Sequence, residues 1–167
     1  DLDTVFWVFP HDRRIATLAA VAAPADDLGP RFGLAWSRSR LVAYAPEKSA
    51  TLQCLNDSGD VLGYAKVCAR NQAGRDHATY AAITALLPPD DLHLRVPRSL
   101  GYSESHRTLV IEPVAGRRLA DEDSRDRAVD LRRLGAALAT LHSMKPLAAP
   151  RFERFDPDRL TDAAAVL

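Results

Sequence analysis

A single lysine inside an apolar run is the residue whose type and position most favour chemistry. Lys66 lies in the stretch 61–67, Val-Leu-Gly-Tyr-Ala-Lys-Val, which is otherwise apolar and contains the strand-favouring residues Val and Tyr. A charge inside a buried strand is costly unless it has a partner or a function. The chain has three lysines and nineteen arginines, so a lysine here indicates a need for a compact ammonium group, such as one that contacts a phosphate.

An alternative interpretation of Lys66 requires no function. Lysines are common on edge strands, where the charged group discourages pairing with another chain. The methylene stem would then lie along the sheet and the ammonium would extend into water. The position of this strand in the sheet therefore distinguishes the two interpretations.

Composition indicates a globular domain, with 47% apolar and 26% charged residues. The 22 acidic and 22 basic residues cancel, so charge gives no reason to expect a nucleic-acid or membrane partner. No apolar run approaches the roughly 20 residues that a membrane-spanning helix needs. The apolar stretch at 5–9 is too short for the core of a signal peptide, so we expect a cytoplasmic protein with its two cysteines reduced.

Hydrophobic periodicity and turn residues predict an alternation of helices and short strands. The predicted elements are a helix at 10–22, strands at 41–44, 51–55 and 61–68, a helix at 75–87, strands at 98–102 and 107–112, and helices at 124–144 and 160–167. The sequence Asn-Asp-Ser-Gly-Asp at 56–60 predicts a tight hairpin turn. We therefore expect an α+β fold, in which a five-stranded antiparallel sheet packs against one helix.

Four short motifs, in this order, resemble those of the aminoglycoside phosphotransferase-like family of small-molecule kinases. They are Tyr-Ala-Lys-Val at 64–67, Val-Pro-Arg-Ser-Leu-Gly at 96–101, Val-Ile-Glu-Pro-Val-Ala-Gly at 110–116 and Leu-Ala-Thr-Leu-His at 138–142. A lysine on the third strand, followed by a helix, also holds nucleotide phosphates in protein kinases. The resemblance implies a protein-kinase-like fold with four parts: an N-terminal helical extension at 1–38, an N-lobe at 39–112, a hinge at 113–116 and a partial helical C-lobe at 117–167.

The resemblance also implies which residues contact the phosphates of a nucleotide. Lys66 would contact the α- and β-phosphates of ATP or GTP. The turn at 45–49, between the first two strands, would lie over the phosphates. It has no glycine, but Lys48 could offer an ammonium and Ser49 a hydroxyl. A solvated turn is the alternative interpretation of these two residues.

The base of the nucleotide would lie against the hinge. By the resemblance, the carbonyl of Glu112 and the N–H of Val114 would contact the base, and Ile111 would line the back of the pocket. Pro113 lacks an N–H but falls between those two positions. Without Lys66, the same stretch would be interpreted as a buried strand leaving the sheet.

The partner of Lys66 departs from the kinase pattern. In kinases a Glu of the following helix pairs with the lysine. Here Asp76 is the one acidic residue between positions 74 and 87. Either Asp76 reaches Lys66, or the pair is absent and Lys66 is held in another way.

The catalytic loop of the resembled family, His-Gly-Asp-x-x-x-x-Asn, does not occur in this sequence. We therefore expect the catalytic residues, the magnesium ligands and most of the acceptor site to lie beyond residue 167. The chain alone is predicted to be inactive and to hold no metal. The acidic pairs at 121/123 and 156/158 are interpreted as solvated turns, where Asp is favoured.

The predicted helix at 124–144 carries an apolar stripe of Leu131, Leu134, Leu138 and Leu141. The residues that follow are too few to cover it, so we expect a missing C-lobe or a partner chain to do so.

Three hypotheses follow for the chain. It is the nucleotide-binding part of a phosphotransferase acting on a small-molecule hydroxyl, a non-catalytic kinase-like nucleotide-binding or scaffold module, or an unrelated α+β interaction domain.

Overall fold

The computed structural model describes residues 8–24, 27–87, 94–116 and 124–143, with the side chains of the last range given from residue 127 onward. Its elements are α1 (Leu18–Ala22), a 3-10 turn (Pro30–Phe32), β1 (Arg38–Ala45), β2 (Ser49–Leu55), β3 (Val61–Cys68), α2 (Gln72–Leu86), β4 (Ser99–Ser103), β5 (Thr108–Ile111) and α3 (Ser124–Ser143). The predicted class, an α+β fold with a five-stranded antiparallel sheet, is confirmed. The predicted helix at 160–167 and the acidic pairs at 121/123 and 156/158 lie outside the described residues.

Several boundaries differ from the prediction. The first helix begins at Leu18 rather than at residue 10, because Asp12 accepts hydrogen bonds from the N–H groups of Arg14 (2.7 Å) and Ile15 (2.9 Å). This local turn replaces the first helical turns. Ser49, predicted in the turn after the first strand, is the first residue of β2.

The strands follow the order β1-β2-β3-β5-β4, so β3 is the middle strand. Lys66 lies directly opposite Thr51 of β2 and Leu109 of β5. The alternative interpretation of Lys66 as an edge-strand charge is therefore wrong. A central lysine cannot protect the sheet from pairing with another chain, and its presence needs a different explanation.

One face of the sheet is sealed by the N-terminal segment, which we define as the described residues between 8 and 37. The core consists of alternate strand residues and the apolar residues of this segment, because side chains of a strand alternate between faces. Its members are Ile15, Leu18, Val21, Leu28, Phe32, Trp36, Ala50, Leu52, Cys54, Ala65, Val67 and Val110. Residues on both sides of the predicted division at residue 38 therefore contribute to one core.

The other face of the sheet, here called the helix face, is covered only in part. Helix α2 packs on β3, β4 and β5. A second, smaller core of Cys68, Ala73 and Leu109 lies between them. The side chains of β1 and β2 on this face remain exposed or partly buried.

The free thiols of Cys54 and Cys68 lie on opposite faces, and burial raises the pKa of Cys54 to about 12.

Helix α3 carries the predicted apolar stripe on its surface. Five of its large apolar side chains are between 38% and 51% exposed, namely Val129, Leu131, Leu134, Leu138 and Leu141. Coverage of this helix by a C-lobe or a partner chain stays a prediction. Among the described residues, no helix combines the length and the hydropathy that crossing a bilayer requires.

Candidate functional site

An ion pair joins the middle strand to helix α2. The Nζ atom of Lys66 lies 2.7 Å from Oδ2 of Asp76. Of the two alternatives for this lysine, the structure therefore shows the one in which Asp76 reaches it. The second oxygen of Asp76 accepts a hydrogen bond from Nε2 of Gln72 at 2.7 Å. The hydrogen bond to Asp76 raises the pKa of Lys66, outweighing the opposite effect of partial burial, so the ammonium is charged at neutral pH.

The ion pair is exposed to solvent, so its contribution to stability is too small to account for a lysine at this position. The side chain of Lys66 is 42% exposed and that of Asp76 is 21% exposed. Pairs at this level of exposure typically contribute no more than about 1 kcal/mol to the free energy of unfolding. Lys66 is this accessible because the N-terminal segment seals only one face of the strand, and Lys66 lies on the other. An ammonium held in a fixed position at an accessible sheet face can bind an anion.

Helix α2 is fixed against β4, and this contact positions Asp76. Nδ1 of His77, the next residue, lies 2.6 Å from the hydroxyl of Ser99. The ring of His77 also stacks on Tyr102 with 6.3 Å between centroids. The hydroxyl of Tyr102 donates to Oδ1 of Asn71, just before the helix, at 2.8 Å. These contacts hold the first two turns of the helix over the sheet.

Tyr64 is a candidate residue that sequence reasoning missed. It precedes Lys66 by two positions, so both side chains lie on the helix face. Tyr64 lies opposite Ile111 on one side and Gln53 on the other. Its hydroxyl accepts a hydrogen bond from Gln53 at 3.3 Å, and Gln53 accepts one from Arg40 at 2.7 Å. The spacing of two residues within a strand was the signal that could have identified it.

The β1–β2 turn meets the end of β3 that follows Lys66. The N–H of Ala69 donates to the carbonyl of Lys48 at 3.0 Å. Ser49 pairs with Cys68, one pair further along the helix face than Thr51 and Lys66. Diagonal neighbours of this kind lie roughly 7–8 Å apart. The backbone of Lys48 and Ser49 therefore lies beside the end of β3 that follows Lys66, and the contact of these three side chains with phosphate stays a prediction.

The turn is tied to the N-terminal segment through the carboxylate of Asp12. Oδ2 of Asp12 accepts hydrogen bonds from the hydroxyl of Tyr44 (2.5 Å) and from the N–H of Glu47 (2.9 Å). The carboxylate of Glu47 in turn pairs with Arg13 at 2.8 Å and with Arg14 at 3.4 Å. Asp12, expected in the first turn of a helix, instead connects two distant parts of the chain.

The carboxylate of Asp12 should make stability depend on acidity. Partial burial favours a higher pKa, but the hydrogen bonds from Tyr44 and three N–H groups outweigh it and lower the pKa from 3.8 to about 2. A lowered pKa stabilises the fold above pH 3.8, and this contribution is lost as pH falls towards 2. We expect the stability advantage of the unmodified chain over Asp12→Asn to shrink between pH 5 and pH 2.5 in urea unfolding. An equal difference at both pH values would contradict this assignment.

The side chain of Glu112 has a structural use at the predicted hinge. Its carboxylate accepts hydrogen bonds from the N–H (3.1 Å) and Nε (2.9 Å) of Arg98. Partial burial acts to raise the pKa of Glu112, but the Arg98 hydrogen bonds lower it overall. Its N–H also donates to the carbonyl of Arg98 at 2.9 Å. Val114 lies at the surface just beyond, and Ile111 packs at the border of the smaller core.

Comparison with protein-family models, with curated proteins and with solved structures finds no match to this chain. The assignment of a function therefore depends on the geometry of the residues around Lys66.

Proposed function

We propose that this chain is the N-terminal nucleotide-binding part of a phosphotransferase that uses ATP or GTP with magnesium to phosphorylate a hydroxyl of a small molecule, such as an antibiotic or a sugar. The observation that carries the proposal is the ion pair of Lys66 with Asp76. In protein kinases a lysine on the third strand pairs with an acid of the following helix and contacts the nucleotide phosphates. Here Asp76 supplies the acid, with its Oδ2 atom 2.7 Å from Nζ of Lys66, although its side chain has one methylene fewer than that of a Glu.

The surroundings of the pair offer complementary groups for each part of a nucleotide. Lys66, Lys48 and Ser49 supply two ammonium groups and a hydroxyl for phosphates. Tyr64 and Ile111, which pair across β3 and β5, present an aromatic ring and an aliphatic side chain on the same face as Lys66. A purine ring can stack on such a surface. The carbonyl of Glu112 and the N–H of Val114 stay our proposed contacts to the edge of the base.

The magnesium ligands are assigned to another part of the protein. Among the described residues, no group of three or more His, Cys, Asp or Glu side chains could hold a metal ion. The carboxylate of Asp76, the partner of Lys66, already accepts hydrogen bonds from Lys66 and Gln72. We therefore limit the role of the described residues to binding and positioning the nucleotide.

Thermal unfolding with added nucleotide tests the proposal. Millimolar Mg-ATP or Mg-GTP should raise the melting temperature by several degrees, because a ligand at 100 times its Kd stabilises by about 2.7 kcal/mol. Magnesium alone should cause no such shift. The absence of a shift with both nucleotides would contradict the proposal.

A transfer assay separates the proposed enzyme from a non-catalytic module. The protein that carries this chain together with a His-Gly-Asp loop should transfer the γ-phosphate of ATP or GTP to a hydroxyl compound. Nucleotide binding without transfer to any of a panel of aminoglycosides, sugars and amino alcohols would favour the nucleotide-binding or scaffold module.

A further inference from the structure

We propose that residues 8–15 form a brace that holds the β1–β2 turn in the conformation that receives the nucleotide phosphates, with Asp12 as the positioning residue. This inference rests on the proposed function, since it assigns a task to the turn within the same site. The brace is a segment that lies outside the sheet and that the nucleotide need not touch.

The turn adopts a backbone conformation that its own residues do not favour. It contains no glycine, yet Glu47 has a φ of 59°, in the left-handed region that residues with a Cβ adopt rarely. Glu47 is held by its N–H on Asp12 and by its carboxylate on Arg13 and Arg14. The contacts with the brace therefore stabilise a backbone conformation that the turn alone disfavours.

The brace is itself fixed at its far end. The second oxygen of Asp12 accepts the N–H groups of Arg14 and Ile15. Ile15 is buried in the main core, and two residues later the hydroxyl of Thr17 donates to the carbonyl of His106 at 2.7 Å. One carboxylate thus links a residue anchored in the core to the tip of a surface turn.

The supported turn leads directly to the proposed phosphate contacts. Lys48 follows Glu47 and its carbonyl accepts the N–H of Ala69, and Ser49 begins β2. A shift of Glu47 would therefore move the backbone of Lys48 and Ser49 relative to Lys66 on β3. Holding binding groups in place before the ligand arrives lowers the entropy lost on binding.

The variant Asp12→Asn distinguishes the hydrogen bonds that Asp12 makes within the brace from the one that it makes to the turn. Asparagine keeps a carbonyl oxygen for the N–H groups of Arg14 and Ile15, and Asn forms local turns of this kind as Asp does. Its amide nitrogen cannot accept the N–H of Glu47. We expect calorimetry to show about tenfold weaker binding of Mg-ATP, and unchanged binding of adenosine, which has no phosphates. Amide exchange at Glu47 should become faster in the absence of any nucleotide.

Asp27→Asn is the matched control, because it makes the same chemical change in the N-terminal segment but outside the brace. Asp27 pairs with the exposed Arg31 at 2.9 Å, away from the turn, so this variant should bind Mg-ATP like the unmodified chain. If the unmodified chain binds Mg-ATP and Asp12→Asn binds it equally well, the brace is refuted while the proposed function stands. Equal losses for Mg-ATP and adenosine would also refute it, because they would indicate a general change in the fold. If the unmodified chain binds no nucleotide, both proposals fail.

Discussion

Replacing Lys66 by alanine should weaken the binding of Mg-ATP or Mg-GTP by at least about tenfold. A hydrogen bond to a charged group contributes about 1.5–3 kcal/mol, and each 1.4 kcal/mol corresponds to a factor of ten. The variant should still fold, because the lost ion pair is accessible to solvent and contributes about 1 kcal/mol or less to the free energy of unfolding. Thermal unfolding with and without nucleotide measures both effects in one sample.

The control for Lys66→Ala is Gln72→Ala. It removes the other side chain that donates to Asp76 at 2.7 Å but leaves the ammonium in place. We expect this control to keep at least most of the nucleotide-induced shift. A Lys66→Ala protein that is stabilised by nucleotide as strongly as the unmodified chain would remove Lys66 from the site, and the phosphotransferase proposal with it.

Replacing Trp36 by alanine should lower the free energy of unfolding by about 3–5 kcal/mol. Trp36 is 4% exposed and packs in the main core, with Phe32 at 6.4 Å between ring centroids. Its Nε1 donates to the carbonyl of Arg38 (3.0 Å) and to the hydroxyl of Ser39 (3.1 Å), at the start of β1. Urea unfolding, followed by circular dichroism, measures the loss. The total stability of a domain is about 5–15 kcal/mol, so the variant should unfold at much lower urea.

Leu41→Ala is the control for this core substitution. Leu41 also belongs to the early part of the chain, but it is 41% exposed on β1, so its removal should cost much less than that of Trp36. If the two variants lost similar stability, the N-terminal segment would not be part of the core, contrary to the packing described above.

The features that the sequence predicts correctly here are local. The hairpin turn at 56–60 forms, with Gly59 at a φ of 91° and the side chain of Asn56 accepting the N–H of Asp60 at 2.8 Å. Alternation in β2 places Ala50, Leu52 and Cys54 on the sealed face. Such patterns follow from strand periodicity and turn chemistry, which need no knowledge of distant contacts.

The features that the sequence does not reveal depend on contacts between distant residues. Asp12 accepts a hydrogen bond from Glu47, 35 positions later, whereas the local pattern of a carboxylate near a proline predicts only the start of a helix. Tyr64 could be placed beside Ile111 only once the order of β3 and β5 was known. The exposed fraction of Lys66 likewise follows from α2 covering only part of its face, which periodicity does not specify.

The seal formed by the N-terminal segment also constrains how the chain can fold. Thr17 donates to a carbonyl 89 residues later, and the apolar residues of this segment pack against strands that follow them in the chain. Contacts between residues so distant in sequence slow folding, because a long loop must close before they form. During synthesis, Ile15 and Leu18 leave the ribosome well before Val110 of β5, which belongs to the same core. The core is therefore complete only after Val110 has emerged, and until then part of its apolar surface is available to chaperones.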